Sequence, residues 1–250
     1  VAIGAIGNDG NGVNSGHVRV YEYDGATSWT QIGQDIDGET AGDFSGDSVS
    51  MNSVGTRVAI GSARNGDNGD FSGHVRVYEY DGATSWTQIG QDIDGETAND
   101  LSGDSVSMNS AGTRVAIGAR NNDDNSGHVR VYEYDGATAW NQLGQDIDGE
   151  TAGDKSGFSV SMNSAGTRVA IGAIENDGDN GADSGHVRVY EYDGATAWTQ
   201  IGQDIDGETA NDLSGYSVSM NSDGTRVAIG GIGNYGNGDF SGHVRVYECK

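Results

Sequence analysis

Proline is absent from this 250-residue sequence, and cysteine occurs once, at Cys249. A lone cysteine excludes an internal disulfide framework and leaves the redox compartment open. Basic residues are scarce as well. Thirteen Lys and Arg stand against 38 Asp and Glu, a formal net charge of −25. That balance argues against nucleic acid, which needs clustered Lys and Arg, and against an anionic membrane surface. No apolar run approaches the roughly 18 residues of a membrane span, so membrane insertion is not expected. The sequence shows no signal peptide, no initiator Met and no N-x-Ser/Thr sequon. It reads as a processed or excerpted chain, with Ser and Thr plentiful enough for O-linked sugar.

What is abundant is glycine, 43 residues of it, and repetition. The segment "GHVRVYEYDGAT" recurs with its histidine at His17, His74, His128 and His186, and a shortened copy carries His243, at spacings of 57, 54, 58 and 57. Each unit holds four β-like runs separated by Gly, Asn and Asp clusters. In one unit these are "DSVSMN" (104–109), "RVAIG" (114–118), "HVRVYEY" (128–134) and "AWNQLGQDI" (139–147). The link "SAGT" suits a tight hairpin. Val129 and Val131 alternate with His128, Arg130 and Tyr132, the period of a strand. No segment has useful helical periodicity.

Four antiparallel strands every ~57 residues predict an all-β chain, a β-propeller of about four to five four-stranded blades. A single blade cannot bury both faces, but blades packed radially can. The units divide the one domain, 1–250, into a partial blade (1–47), three blades (48–104, 105–158, 159–216) and a partial blade (217–250). The first unit lacks its first strand and the last lacks its fourth. The expected outcomes are five blades with two incomplete, a four-bladed ring closed by 217–221, vacancies filled by another subunit, or an excerpt from a longer run of repeats.

"FSGDSVSMNSVGTRVAIGSA" (44–63) followed by "SGHVRVYEY" (72–80) resembles the FG-GAP repeat of integrin-alpha-like β-propellers. The resemblance covers every repeat and implies an adhesion-type propeller. In that family calcium sits on an acidic loop between a blade's first two strands. Here "NSVGT", "NSAGT" and "NSDGT" lack that carboxylate set, so the family's calcium position does not carry over.

Carboxylates gather elsewhere. "GQDIDGETAGD" places Asp35, Asp37, Glu39 and Asp43 in one word, and its copies hold Asp92, Asp94, Glu96 and Asp100, then Asp146, Asp148, Glu150 and Asp154, then Asp204, Asp206, Glu208 and Asp212. Alternate oxygens on a turning loop are what Ca²⁺ takes, although the EF-hand positions of Gly and Glu are missing. The competing reading is a solvated turn, with Ile36 inward, Asp35 and Asp37 outward and Gly-Glu-Thr crossing to the next blade. The loops after each "VAIG" (7–14, 64–71, 120–125, 175–183 and 233–240) vary most between copies. Variable loops on a rigid scaffold carry binding specificity, which makes Arg64, Arg120, Glu175 and Tyr235 candidate ligand contacts.

No nucleophile and base stand outside the repeat, so an enzyme is not expected. The five histidines read as one structural position between blades. Trp29, Trp86, Trp140 and Trp198 read as packing between blades, with sugar stacking as the alternative. The function expected is an extracellular or cell-surface structural protein that pairs end to end with itself into a filament, with Cys249 as a candidate covalent link between subunits. The alternative is an adhesion or lectin-type module that binds other surface proteins or glycans, with Ca²⁺ as its candidate cofactor.

Overall fold

A computed structural model describes residues 1–236, 238 and 241–249. Its hairpins are set locally by asparagine. Asn52 Oδ1 accepts from the backbone N–H groups of Thr56 and Arg57 at 2.8 and 2.9 Å. Gly55 takes the positive φ, 74°, that a Cβ would strain. Asn109, Asn163 and Asn221 repeat the device.

Five antiparallel sheets follow one another. The first holds β1 (Ala2–Ala5), β2 (His17–Tyr23), β3 (Trp29–Gln31) and β4 (Ile36–Asp37). The second holds β5 (Ser48–Met51), β6 (Arg57–Ser62), β7 (His74–Tyr80), β8 (Trp86–Gln88) and β9 (Ile93–Asp94). The third holds β10 (Ser105–Met108), β11 (Arg114–Ala119), β12 (His128–Tyr134), β13 (Trp140–Gln142) and β14 (Ile147–Asp148), with a single helical turn, α1 (Asn122–Asn125), in its loop. The fourth holds β15 (Ser156–Met162), β16 (Arg168–Ala173), β17 (His186–Tyr192), β18 (Trp198–Gln200) and β19 (Ile205–Asp206). The fifth holds β20 (Ser214–Met220), β21 (Arg226–Gly231) and β22 (His243–Glu248). Among the described residues no helix is long and apolar enough to cross a membrane.

The fourth strand of each unit differs from its sequence reading. It is two short pieces, such as β8 and β9, both paired with β7. Gly90 breaks it at a φ of 76°, and the Trp140 ring of the next sheet lies where a Cβ would sit. Two unit boundaries also shift. The divisions at 158/159 and 216/217 fall inside β15 and β20, which start earlier because a bulge lets Ser156 pair with Ala173 and Ser214 with Gly231. Strand 217–221 does not complete the first unit, because β1 is an edge strand paired with β2 alone and β20 pairs only with β21.

Strand alternation gives each sheet two apolar faces. Ala59, Val75, Val77 and Ile93 of the second pack against Met108, Val115, Ile117, Tyr132 and Trp140 of the third. The same layer recurs at the other three junctions. Polar side chains lock it. Trp86 Nε1–H donates to the Ile32 carbonyl at 2.9 Å, and Gln34 takes both the Trp86 N–H and its carbonyl at 2.9 Å. Gln91 with Trp140 and Gln145 with Trp198 do likewise. The two ends lack this cover. Val244 and Val246 are 70% and 66% exposed, where Val75 and Val77 are 0%. At the other end Ile3 and Trp29 are 52% and 58% exposed, where Ile60 and Trp86 are 1% and 3%.

Candidate functional site

Each acidic word is pulled apart by the sheet and the crossing that follows it. In the second blade His74 stands opposite Asp94 in register, and Asp92 Oδ2 lies 3.9 Å from His74 Nδ1. After Asp37 the chain crosses between blades, with Gly38 pressed against the Ser15 carbonyl so closely that no Cβ fits. Glu39 is thereby delivered to the next blade, its Oε2 4.0 Å from His74 Nδ1. Glu96 reaches His128 and Glu150 reaches His186 in the same way, each at 3.9 Å, and Glu208 reaches His243 at 3.5 Å. Asp43 folds back instead, accepting from the Thr40 N–H and hydroxyl at 2.8 and 2.9 Å. Asp100, Asp154 and Asp212 repeat that closure. The four carboxylates of one word therefore do not share one Ca²⁺ loop. Residues two apart in the strand share a face, but the Glu crosses to a new blade and the last Asp closes its own turn, with Asp212 alone also reaching the Glu and histidine of its junction.

What assembles is a mixed cluster at each junction: Glu39, Asp67, His74 and Asp92; Glu96, His128 and Asp146; Glu150, His186 and Asp204; and Glu208, Asp212 and His243. In the first blade His17 meets Asp35 and Asp37. There Arg19 turns to Asp35 in two bonds of 3.0 and 2.8 Å and, with Gln31, holds its carboxyl down at about 2. Arg76, Arg130, Arg188 and Arg245 make a different choice. They donate to the carbonyls of Asp37, Asp94, Asp148 and Asp206 across the junction, a partner Arg19 does not have.

Burial and then the neighbouring guanidiniums push the pKa of His74, His128 and His186 down. Burial pushes Glu39, Asp94 and Asp206 up. A histidine whose folded pKa is depressed stabilises the fold above its unfolded value of about 6.5, and that contribution is lost as the pH falls below it. The raised carboxylates act in the opposite sense, losing stability as pH rises, but near their own lower range. Thermal melts are therefore expected to drop by several degrees between pH 7.5 and pH 5.5. A flat profile across that window would mean that the three rings are not held neutral.

The loop candidates do not converge. Arg64 stacks on the Phe44 ring at 4.3 Å. Arg120 pairs with Asp104 at 3.2 Å and lies over Phe158. Glu175 is exposed on the fourth blade and Tyr235 on the fifth, and positions 237, 239 and 240 of that last loop lie outside the described residues. Asparagines organise these loops against the acidic turns: Asn65 donates to Asp43 at 3.3 Å and Asn176 to Asp154 at 3.0 Å. Cys249 is half-buried against the last junction, and burial raises its thiol pKa, which disfavours the thiolate. Sequence reasoning placed the carboxylates but left the histidines out of the cluster. The signal was present in the once-per-repeat histidine, yet only the crossing shows which Glu it meets.

No protein-family model matches the chain, and no curated protein matches it. Solved structures do. The chain is similar to Kuenenia stuttgartiensis hydrazine synthase at 11% identity and a TM-score of 0.58, over 93% of this chain and 61% of that one. It is similar to TolB from Acinetobacter baumannii at 11% identity and a TM-score of 0.51, over 94% of this chain and 46% of that one. The fold is a β-propeller. The chain spans less than two thirds of either neighbour, and identities this low speak to architecture alone. The comparisons support the propeller expected from the sequence but not the FG-GAP family, whose resemblance rests on the repeat residues 44–63 and 72–80 and their copies alone.

Proposed function

We propose that this propeller is a non-enzymatic structural unit that stacks end to end with further copies of itself, at the cell surface or outside the cell. One observation carries the reading. The two uncovered faces are complements, because each internal junction already joins one face of each kind. Val244 and Val246 present the surface that Val75 and Val77 bury, and Ile3 and Trp29 present the surface that Ile60 and Trp86 bury. Such a contact is heterologous and need not close, so it extends. A strongly acidic surface with few basic residues suits a repetitive extracellular scaffold and suits a nucleic-acid partner poorly.

Sedimentation velocity over a range of concentrations, with electron microscopy of the same samples, tests this. Assembly that grows with concentration is expected. The double variant Val244→Asp/Val246→Asp should remain a monomer, while Phe71→Asp, at an exposed apolar residue on a loop of the second blade, should assemble like the parent. A parent chain that stays monomeric throughout, or a double variant that assembles normally, overturns the proposal.

A second reading, glycan-binding adhesion, is favoured by a narrower feature. Trp29 and Tyr23 form an exposed aromatic pair, 5.1 Å between centroids, beside a cleft that Val1, Tyr21 and Met51 also line. Trp86, Trp140 and Trp198 are buried and offer no platform. Retention on glycan columns that is lost in Trp29→Ala would support that reading over stacking.

A further inference from the structure

We infer that the junction between the first and second blades is a binding site for one divalent transition-metal cation, held by His74 Nδ1 and carboxylate oxygens of Glu39, Asp67 and Asp92. These four donor atoms lie within 4.8 Å of one another. The independent mark of a ligand is His74 itself. Its side chain is 0% exposed, neither ring nitrogen has a hydrogen-bond partner, and Nδ1 points between the two nearest carboxylates. A buried imidazole without a partner is costly, and a lone pair aimed at several anions is the arrangement a cation resolves.

The surroundings leave the right oxygens free. Arg76 Nη1 holds Glu39 Oε1 at 3.3 Å while Oε2 faces the imidazole. Gln88 donates to Asp92 Oδ1 while Oδ2 faces it. Asn65 donates to Asp67 Oδ2 at 3.3 Å and accepts from the Asp67 N–H. Orienting partners of this kind are what metal-binding carboxylates use. Three carboxylates beside one guanidinium leave two net negative charges, which a dication cancels. A ring nitrogen among the donors favours Zn²⁺ and its d-block neighbours over Ca²⁺, which takes oxygen. The corresponding clusters at His128 and His186 hold three members, with no fourth carboxylate within the same reach, and are the weaker sites.

The test is calorimetric titration of the full chain with Zn²⁺ in excess Ca²⁺, and a visible spectrum of the Co²⁺-loaded protein. One Zn²⁺ is expected to bind more tightly than the rest, unaffected by Ca²⁺. Asp67→Asn and Asp92→Asn, which leave the buried ring in place, should each weaken that binding by about tenfold or more. His74→Gln should abolish it and change the Co²⁺ spectrum. Absence of a distinguishable tight site, displacement by Ca²⁺, or unchanged affinity in both aspartate variants overturns the proposal. Should His74→Gln fail to fold, the two aspartate variants still separate these outcomes.

Discussion

Replacing Trp140 with alanine is expected to cost about 3–5 kcal/mol of stability, the range for truncating a large buried aromatic, whereas Trp29→Ala should change it by about 0.5 kcal/mol or less. The two residues occupy the same place in the repeat. Trp140 fills the layer between the second and third blades, donates Nε1–H to the Ile89 carbonyl at 2.9 Å and is gripped by Gln91 at 2.9 and 3.0 Å. Its loss opens a cavity and leaves Ile89 without a donor, and both effects destabilise. Trp29 touches Tyr23 and is otherwise largely exposed, with no blade packed over it among the described residues. Denaturant titrations of the two variants at low protein concentration decide the matter. Equal losses would mean that packing between blades is not what holds the array together.

A single methyl at Gly95 is expected to destabilise the chain by about 1–3 kcal/mol through overpacking. A Cβ there falls on the Ser72 carbonyl group, which is fixed by accepting from the Ser102 N–H at 3.0 Å, with the Ser102 side chain 3.1 Å away. The Gly95 N–H also donates to the Gly73 carbonyl at 2.8 Å, so the backbone cannot retreat without losing that bond. Gly136→Ala provides the contrast. Its φ is +81° but nothing lies within 4 Å of the added carbon, so only the left-handed conformation is penalised, at about 1 kcal/mol. Both are readable as shifts of the denaturation midpoint at constant slope. A Gly95→Ala variant no worse than Gly136→Ala would show that the crossing is loose. The Glu that crosses at that point would then not be held against the next blade's histidine.

The broken fourth strand was not legible in the sequence, whereas the repeat, the second and third strands of each unit, the hairpins and the all-β architecture were. Those features depend on neighbours close along the chain: Asn52 reaching Thr56 and Arg57, Asp81 accepting from Ala83, Thr84 and Ser85, and the alternation of Val75 and Val77 with Arg76 and Tyr78. The acidic words were legible too, as candidate ligands. Their histidine partners came only from the tertiary structure. Residues such as Asp92 and Glu96 are neighbours in sequence, yet one faces His74 and the other His128, because the chain changes blades between them. The same cause divides Arg19 from Arg76 and Trp29 from Trp86. Copies with one sequence acquire different partners, or none, according to whether another blade stands beside them, and no local pattern encodes that.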